Sequence, residues 1–316
     1  MVSAGPMIEF RRLHRFFGET RAVEDVSFTV ERGHVFGYIG PNGAGKTTSM
    51  RILATLDMPT FGDAYVDGFS VIDDPDRVRR RMGFMPDHFG TYSNINCREY
   101  LDFFARAYGL RGAARLQALS YVMDFTQLDQ LAEKPISGLS KGMKQRLCLG
   151  RTMINDPAVL IMDEPAAGLD PRARIELREM IRRLASDGKT VLVSSHILTE
   201  LAEMCDTVGI IEKGRMLAVG SVADIQKKHA SEQLRVVKVR VLGTTEPLVN
   251  WLQTQEQLTN VAIMGEIVQF SHAGDVSTDA DLLRTMIQAS IHIAAFGSQE
   301  TTLEEVFLKV TAGLIQ

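Results

Sequence analysis

Residues 40–47, Gly40-Pro41-Asn42-Gly43-Ala44-Gly45-Lys46-Thr47, match the spacing G-x-x-x-x-G-K-[ST] at every fixed position. The chemistry that needs this pattern is phosphate binding. Glycines let the chain curl until successive backbone N–H groups converge on phosphate oxygens. A helix starting at the end of the loop adds its positive N-terminal end. In such a loop Lys46 reaches the β and γ phosphates of a nucleoside triphosphate, and the Thr47 hydroxyl ligates Mg²⁺, with Thr48 at the same helix start. At average residue frequencies the pattern arises by chance about 0.01 times in a chain this long, so a fortuitous glycine turn is a poor explanation. The loop does not choose a reaction, because a small-molecule kinase or a GTPase would carry it too.

A second constellation narrows the chemistry. Val159–Met162 is a short apolar run suited to a buried strand, and Asp163 and Glu164 follow it directly. Asp163 is placed to hold Mg²⁺ through the metal's water shell, and Glu164 to polarise a water attacking the γ-phosphate. Upstream lies Leu139-Ser140-Lys141-Gly142-Met143, where Ser140 can cap a helix. Downstream come Ala167-Gly168-Leu169-Asp170 and Val193-Ser194-Ser195-His196. Phe17-Gly18 precedes the loop, and Met85-Pro86-Asp87 lies between the loop and the acids.

In this order the motifs resemble those of ABC transporter ATP-binding subunits, and the length and ending of the C-terminal tail, Thr302-Leu303-Glu304-Glu305-Val306-Phe307, resemble the C-terminal extension of ABC-2-type exporter ATPases. The resemblance implies ATP hydrolysis with Mg²⁺. Ser140, Lys141, Gly142 and Met143 stand where the family has S-G-G-Q, which contacts the ATP held by a second subunit; Lys141 and Met143 depart from it. Asp170 stands in the loop that crosses the dimer interface. His196 stands where the family's histidine hydrogen-bonds the γ-phosphate, and Phe17 where an aromatic stacks on adenine. Asp87 replaces a usual Gln that touches metal and water. A carboxylate there could ligate Mg²⁺ directly, and it adds negative charge beside the γ-phosphate. The implied partners are a second ATP-binding subunit, as a homodimer, and an integral-membrane permease, with the chain peripheral on the inner face of the cell membrane. An importer ATPase of the same fold, or an ABC ATPase acting on ribosomes or DNA, are the competing assignments.

Elements must place these residues. Strand-like alternation at Met7–Phe10, Ala22–Val30 and His34–Ile39 surrounds the loop, and a helix is expected over Thr47–Leu56. Residues 96–131 read as mostly helical, with Leu101, Phe104 and Tyr108 on one face. The stretch Phe84, Phe89, Tyr92, Tyr100, Phe103, Phe104, Tyr108 suits equally a groove for a partner helix and a subdomain core. Pro171–Ala185 reads as a helix and Thr190–Ser194 as a buried strand. The expectation is an α/β fold: a P-loop NTPase cassette with a parallel sheet core, an antiparallel β subdomain and a helical subdomain at about 90–150, together spanning 7–220. Residues 221–316 read as βαββαβ followed by a helix over Thr301–Thr311, a small α+β ferredoxin-like unit. Its strands and helices are expected at Val237–Val241, Glu246–Gln255, Val261–Met264, Ile267–Phe270, Asp279–Ala289 and Ile291–Ala295.

Composition fits this division. The 35 basic and 39 acidic residues leave a net charge of −4. Residues 221–316 hold 7 basic and 11 acidic residues, so the excess lies there and residues 1–220 balance at 28 against 28. Neither part is basic, which argues against a nucleic-acid partner. No apolar run approaches the roughly 18 residues of a membrane-spanning helix. Three scattered cysteines without a CxxC, and no secretory pattern in the first residues, suggest a cytosolic chain.

Overall fold

The computed structural model describes residues 5–88, 90, 92, 94–197, 201, 203–225, 235–255 and 257–299. The expected helix over Thr301–Thr311 and Phe89 lie outside the described residues. The chain divides into two compact units, Met1–Val222 and Ala223–Gln316.

The first unit holds two sheets. β1 (Ile8–Phe17), β2 (Thr20–Val30), β4 (Phe61–Val66) and β5 (Phe69–Ser70) form an antiparallel sheet in the order β2-β1-β4-β5. Period-two alternation turns Ile8, Phe10, Val26, Phe28 and Val30 inward. β3 (Val35–Ile39), β6 (Met82–Met85), β7 (Val159–Met162), β8 (Thr190–Ser195), β9 (Thr207–Glu212) and β10 (Arg215–Gly220) form the second sheet, in the order β10-β9-β3-β8-β7-β6. All neighbours are parallel except the β9–β10 hairpin. Every residue of β3, β7 and β8 is buried, as expected of central parallel strands covered on both faces. The two sheets share one core, in which the Phe10, Phe28 and Phe36 rings stack at centroid spacings of 4.4 and 4.7 Å.

The helices of this unit include α1 (Lys46–Leu53), α2 (Pro75–Arg81), α3 (Cys97–Ala107), α4 (Gly112–Phe125), α5 (Lys141–Met153) and α6 (Pro171–Ser186), with short 3-10 turns at Asp129–Leu131 and Ile136–Gly138. Asn96 and Glu99 close a capping box at the start of α3. Residues 96–131 are mostly helical, as expected, in two helices separated where Gly109 turns left-handed with φ 81° and ends α3. Tyr108 therefore caps α3 instead of extending its apolar face, and it is exposed while Leu101 is buried.

The second unit contains β11 (Arg235–Val241), α7 (Glu246–Gln253), β12 (Thr259–Met264), β13 (Ile267–His272), α8 (Val276–Gln288) and β14 (Ile293–Gln299). The antiparallel order β12-β13-β11-β14 is the ferredoxin-like arrangement. Val237, Val239, Val241, Val268 and Phe270 pack with Leu248, Leu252 and Met286 of the helices. A polar cluster joins four of these elements. Asp279 accepts from His272 Nε2 at 2.7 Å and from Arg235 Nη2 at 2.8 Å, and Arg235 also donates to Ser298 Oγ at 2.8 Å. Burial alone would raise the Asp279 carboxyl, but the hydrogen bonds from Arg235, Ser298 and His272 outweigh it and hold it below the usual aspartate value.

Candidate functional site

The site is built at the carboxyl ends of four adjacent parallel strands, β3, β8, β7 and β6, where open α/β sheets collect their ligands. The chain leaves β3 into the 40–45 loop. Gly45 sits at φ 107°, and a Cβ there would strike the Ala22 carbonyl oxygen, while a Cβ on Gly40 would strike that of Ile211. Only glycine lets the loop pass these two neighbours. Pro41, Asn42, Gly43 and Thr47 are exposed, Thr48 is half-buried, and Ala44, Gly45 and Lys46 are buried.

Lys46 opens α1 with its ammonium turned back into the loop. Its Nζ donates to Gly40 O at 2.6 Å and Pro41 O at 3.3 Å, and it lies 3.3 Å from Glu164 Oε1. Glu164 Oε1 is buried and accepts no hydrogen bond, so this ion pair is an electrostatic contact rather than an aligned bond. Glu164 Oε2 meets His196 Nδ1 at 2.8 Å. Residues more than a hundred apart in sequence thus converge on one carboxylate. Glu164 itself is left-handed, with φ 48°, a strained state for a residue with a Cβ. Asp163 is buried; its N–H donates to Met85 O at 2.8 Å, and Oδ1 accepts from Ser194 Oγ at 2.7 Å.

The remaining expected residues lie around this cluster. Phe17 is not a core residue: it is 49% exposed, with the Arg15 guanidinium 4.3 Å from its ring centroid. Asp87 follows β6, half-exposed, with His88 Nε2 3.4 Å from its Oδ2. Ser140 caps α5 by accepting from Met143 N at 3.3 Å, and contributes no hydrogen bond to the Lys46–Glu164–His196 cluster among the described residues. Lys141 lies against Gly168, in the space a Cβ there would need, and Gly142 packs towards Ala173. Asp170 caps α6 through Ala173 N at 2.9 Å.

Sequence reasoning missed two residues. Ser194 connects both acids, and buried Gln145 donates to Pro165 O at 2.8 Å, pinning α5 to the acid-bearing loop. Neither contact has a local signal, since each partner lies on a different element. The segments β6, β9 and β10 were also not singled out as strands; β6 is four residues long and contains Gly83.

A phosphate loop on a parallel sheet, with carboxylates at the next strand ends, defines a P-loop nucleotide-binding fold. Comparison with known proteins carries this further. The ABC transporter family matches residues 23–167, and the DrrA1-3-like ATP-binding protein C-terminal domain matches residues 220–311. The Nod factor export ATP-binding protein I of Ralstonia nicotianae is 33% identical over 311 residues, covering 98% of this chain and 95% of that protein. A solved ATP-binding subunit of an ABC transporter is 31% identical with a TM-score of 0.64, covering 71% of this chain and 93% of that one. A solved dimeric bacterial ABC transporter cassette is 25% identical with a TM-score of 0.62, covering 68% of this chain and 99% of that one. The chain belongs to the ABC transporter ATP-binding family. It is an ATP-binding, ATP-hydrolysing subunit.

Proposed function

We propose that this chain powers an ABC-2-type exporter, with Glu164 activating the attacking water and His196 positioning it and the γ-phosphate. The convergence of Lys46, Glu164 and His196 from three separate strand ends carries this assignment. The loop N–H groups, Lys46, Thr47 and Thr48 hold the triphosphate, and Phe17 offers its exposed ring to the adenine. When ATP enters, Lys46 exchanges the Glu164 carboxylate for phosphate oxygens. Glu164 is then released to orient water, and hydrolysis separates the γ-phosphate.

The donor set suits Mg²⁺. Asp163 and Thr47 are hard oxygen donors, Asp87 is a third nearby in the motif order, and no cluster of three or more His, Cys, Asp or Glu side chains occurs among the described residues. That is the pattern for an ion completed by phosphate and water rather than an all-protein cage. When bound, it would neutralise charge on the phosphates; Asp163 would hold it, oriented by Ser194.

In the proposed cycle residues 7–220 act as the cassette and 221–316 as an accessory domain. Two copies meet head to tail. The α5 N-terminus, with Ser140, Lys141, Gly142 and Met143, faces the other copy's ATP, and Asp170 lies at the interface. ATP then acts as a shared ligand whose binding energy drives closure. That a solved relative is dimeric supports the pairing of two copies. Export is supported by the DrrA-like C-terminal domain and by the named role of the Ralstonia relative. No helix of the described residues is long and apolar enough to cross a membrane, so a separate integral-membrane permease is proposed to carry the substrate, with this chain on the inner membrane face. Glu164→Gln should trap an ATP-bound dimer on size-exclusion chromatography with light scattering. A variant that stays monomeric in excess ATP sinks the proposal.

A further inference from the structure

We propose that Ser194 is a positioning residue for ATP hydrolysis: its hydroxyl fixes the backbone of Glu164 and the carboxylate of Asp163 together. This rests on the assignment of Glu164 as the group that activates water. Ser194 is fully buried in β8, one strand from β7. Beyond the end of β7 the Glu164 N–H has no strand partner, and it donates to Ser194 Oγ at 2.8 Å. With that lone pair used, the hydroxyl proton points the other way, onto Asp163 Oδ1 at 2.7 Å. One hydroxyl therefore acts as acceptor for one acid residue and donor to the next.

The end of β8 grips Glu164 twice, through Ser194 inside the strand and His196 just beyond it. Ser194 holds the Glu164 N–H and His196 holds its carboxylate Oε2 at 2.8 Å. Glu164 needs such a hold because its φ of 48° is strained, and a strained backbone persists only when its surroundings over-determine it. Without the Ser194 hydroxyl the part-buried N–H loses its acceptor, and relaxation of the backbone would carry the carboxylate away from the water it orients. Asp163 would also lose the donor that fixes its Oδ1. The effect should fall on the chemical step and leave the 40–47 loop intact.

The geometry allows an isosteric test. Ser194 is among the residues lining a cleft of about 320 Å³ with Pro165, Leu177, Ile181 and Val193. Thr and Val have nearly the same shape, and both suit a strand, so Ser194→Thr and Ser194→Val differ in the hydroxyl alone. Full-length native protein, both variants, Ser194→Ala and Glu164→Gln are compared for steady-state ATP hydrolysis and for ATP binding in EDTA. The expected result is a kcat about 100-fold lower in Ser194→Val and Ser194→Ala than in the native chain, the scale of an approximately 1 Å misplacement. Ser194→Thr recovers to within about tenfold, while KM and EDTA affinity for ATP stay within about threefold of native in the three Ser194 variants. The inference is overturned if Val or Ala keeps native kcat, if Thr is as slow as Val, or if the loss appears in KM or ATP binding instead. A Glu164→Gln enzyme that still turns over normally overturns the underlying assignment, and this inference with it. A dead Glu164→Gln beside a fully active Ser194→Val overturns the Ser194 role alone.

Discussion

Replacing Glu164 by Gln tests the central feature of the site, the carboxylate shared by Lys46 and His196. Its Oε1 lies 3.3 Å from the Lys46 ammonium, with the two side chains 13% and 5% exposed. At an effective dielectric of about 20, two unit charges at that spacing attract by about 5 kcal/mol. Desolvation offsets part of this, and close charge pairs measured by mutant cycles couple by about 1.5–7 kcal/mol. An incoming triphosphate must draw Lys46 out of that attraction, and the carboxylate also repels the γ-phosphate. Glu164→Gln removes both penalties while keeping the side chain's shape. ATP affinity should therefore rise by about 1.4–2.7 kcal/mol, or about 10- to 100-fold. Turnover should fall about 10²- to 10⁴-fold, the usual contribution of a positioned base, which is about 2.7–5.4 kcal/mol of barrier. Equilibrium titration of each protein with ATP in EDTA gives the first quantity, and phosphate release with Mg²⁺ gives the second. Unchanged or weaker ATP binding would show that Lys46 is not restrained by Glu164. Unchanged turnover would remove Glu164 from the chemistry.

Other outcomes follow from single features. Gly45→Ala places a Cβ against the Ala22 carbonyl oxygen at φ 107°; a strain of about 1–3 kcal/mol should lower the melting temperature and abolish ATP binding by titration. Phe17→Ala should weaken ATP binding by about 1–3 kcal/mol, the scale of a base–aromatic stack, with kcat little changed. The Asp279 carboxyl is held below its ordinary value, so its contribution to stability is present above about pH 4, the unfolded value, and is lost as pH falls through the lower folded one. Denaturation followed by Trp251, the sole tryptophan and packed in the second unit, should show Asp279→Asn destabilised at pH 7, with the gap to the native protein closing in stronger acid; a gap that does not change with pH refutes it. Burial raises the Cys148 thiol to about 11, so iodoacetamide at pH 8 should label it only after unfolding, as read by mass spectrometry.

The sequence by itself determined the chemistry that local pattern encodes. The loop 40–47 is legible because a curl around phosphate needs glycines at fixed spacing, and Asp163-Glu164 because a buried apolar run must end where polar groups emerge. The second unit's βαββαβ order was legible from alternation in segments such as Val237–Val241. Short or exposed strands were not, since β6 is only four residues long and β10 has no buried position to set a period. The strand order was decided only by tertiary structure. It places β8 between β3 and β7, so His196 and Ser194 fall between the phosphate loop and the acids. Periodicity along a chain says which residues are buried, not which strand lies beside which. The hydroxyl of Ser194 and the ammonium of Lys46 acquire their partners from that lateral order, through contacts that span 31 and 118 residues between Asp163 and Ser194 and between Lys46 and Glu164.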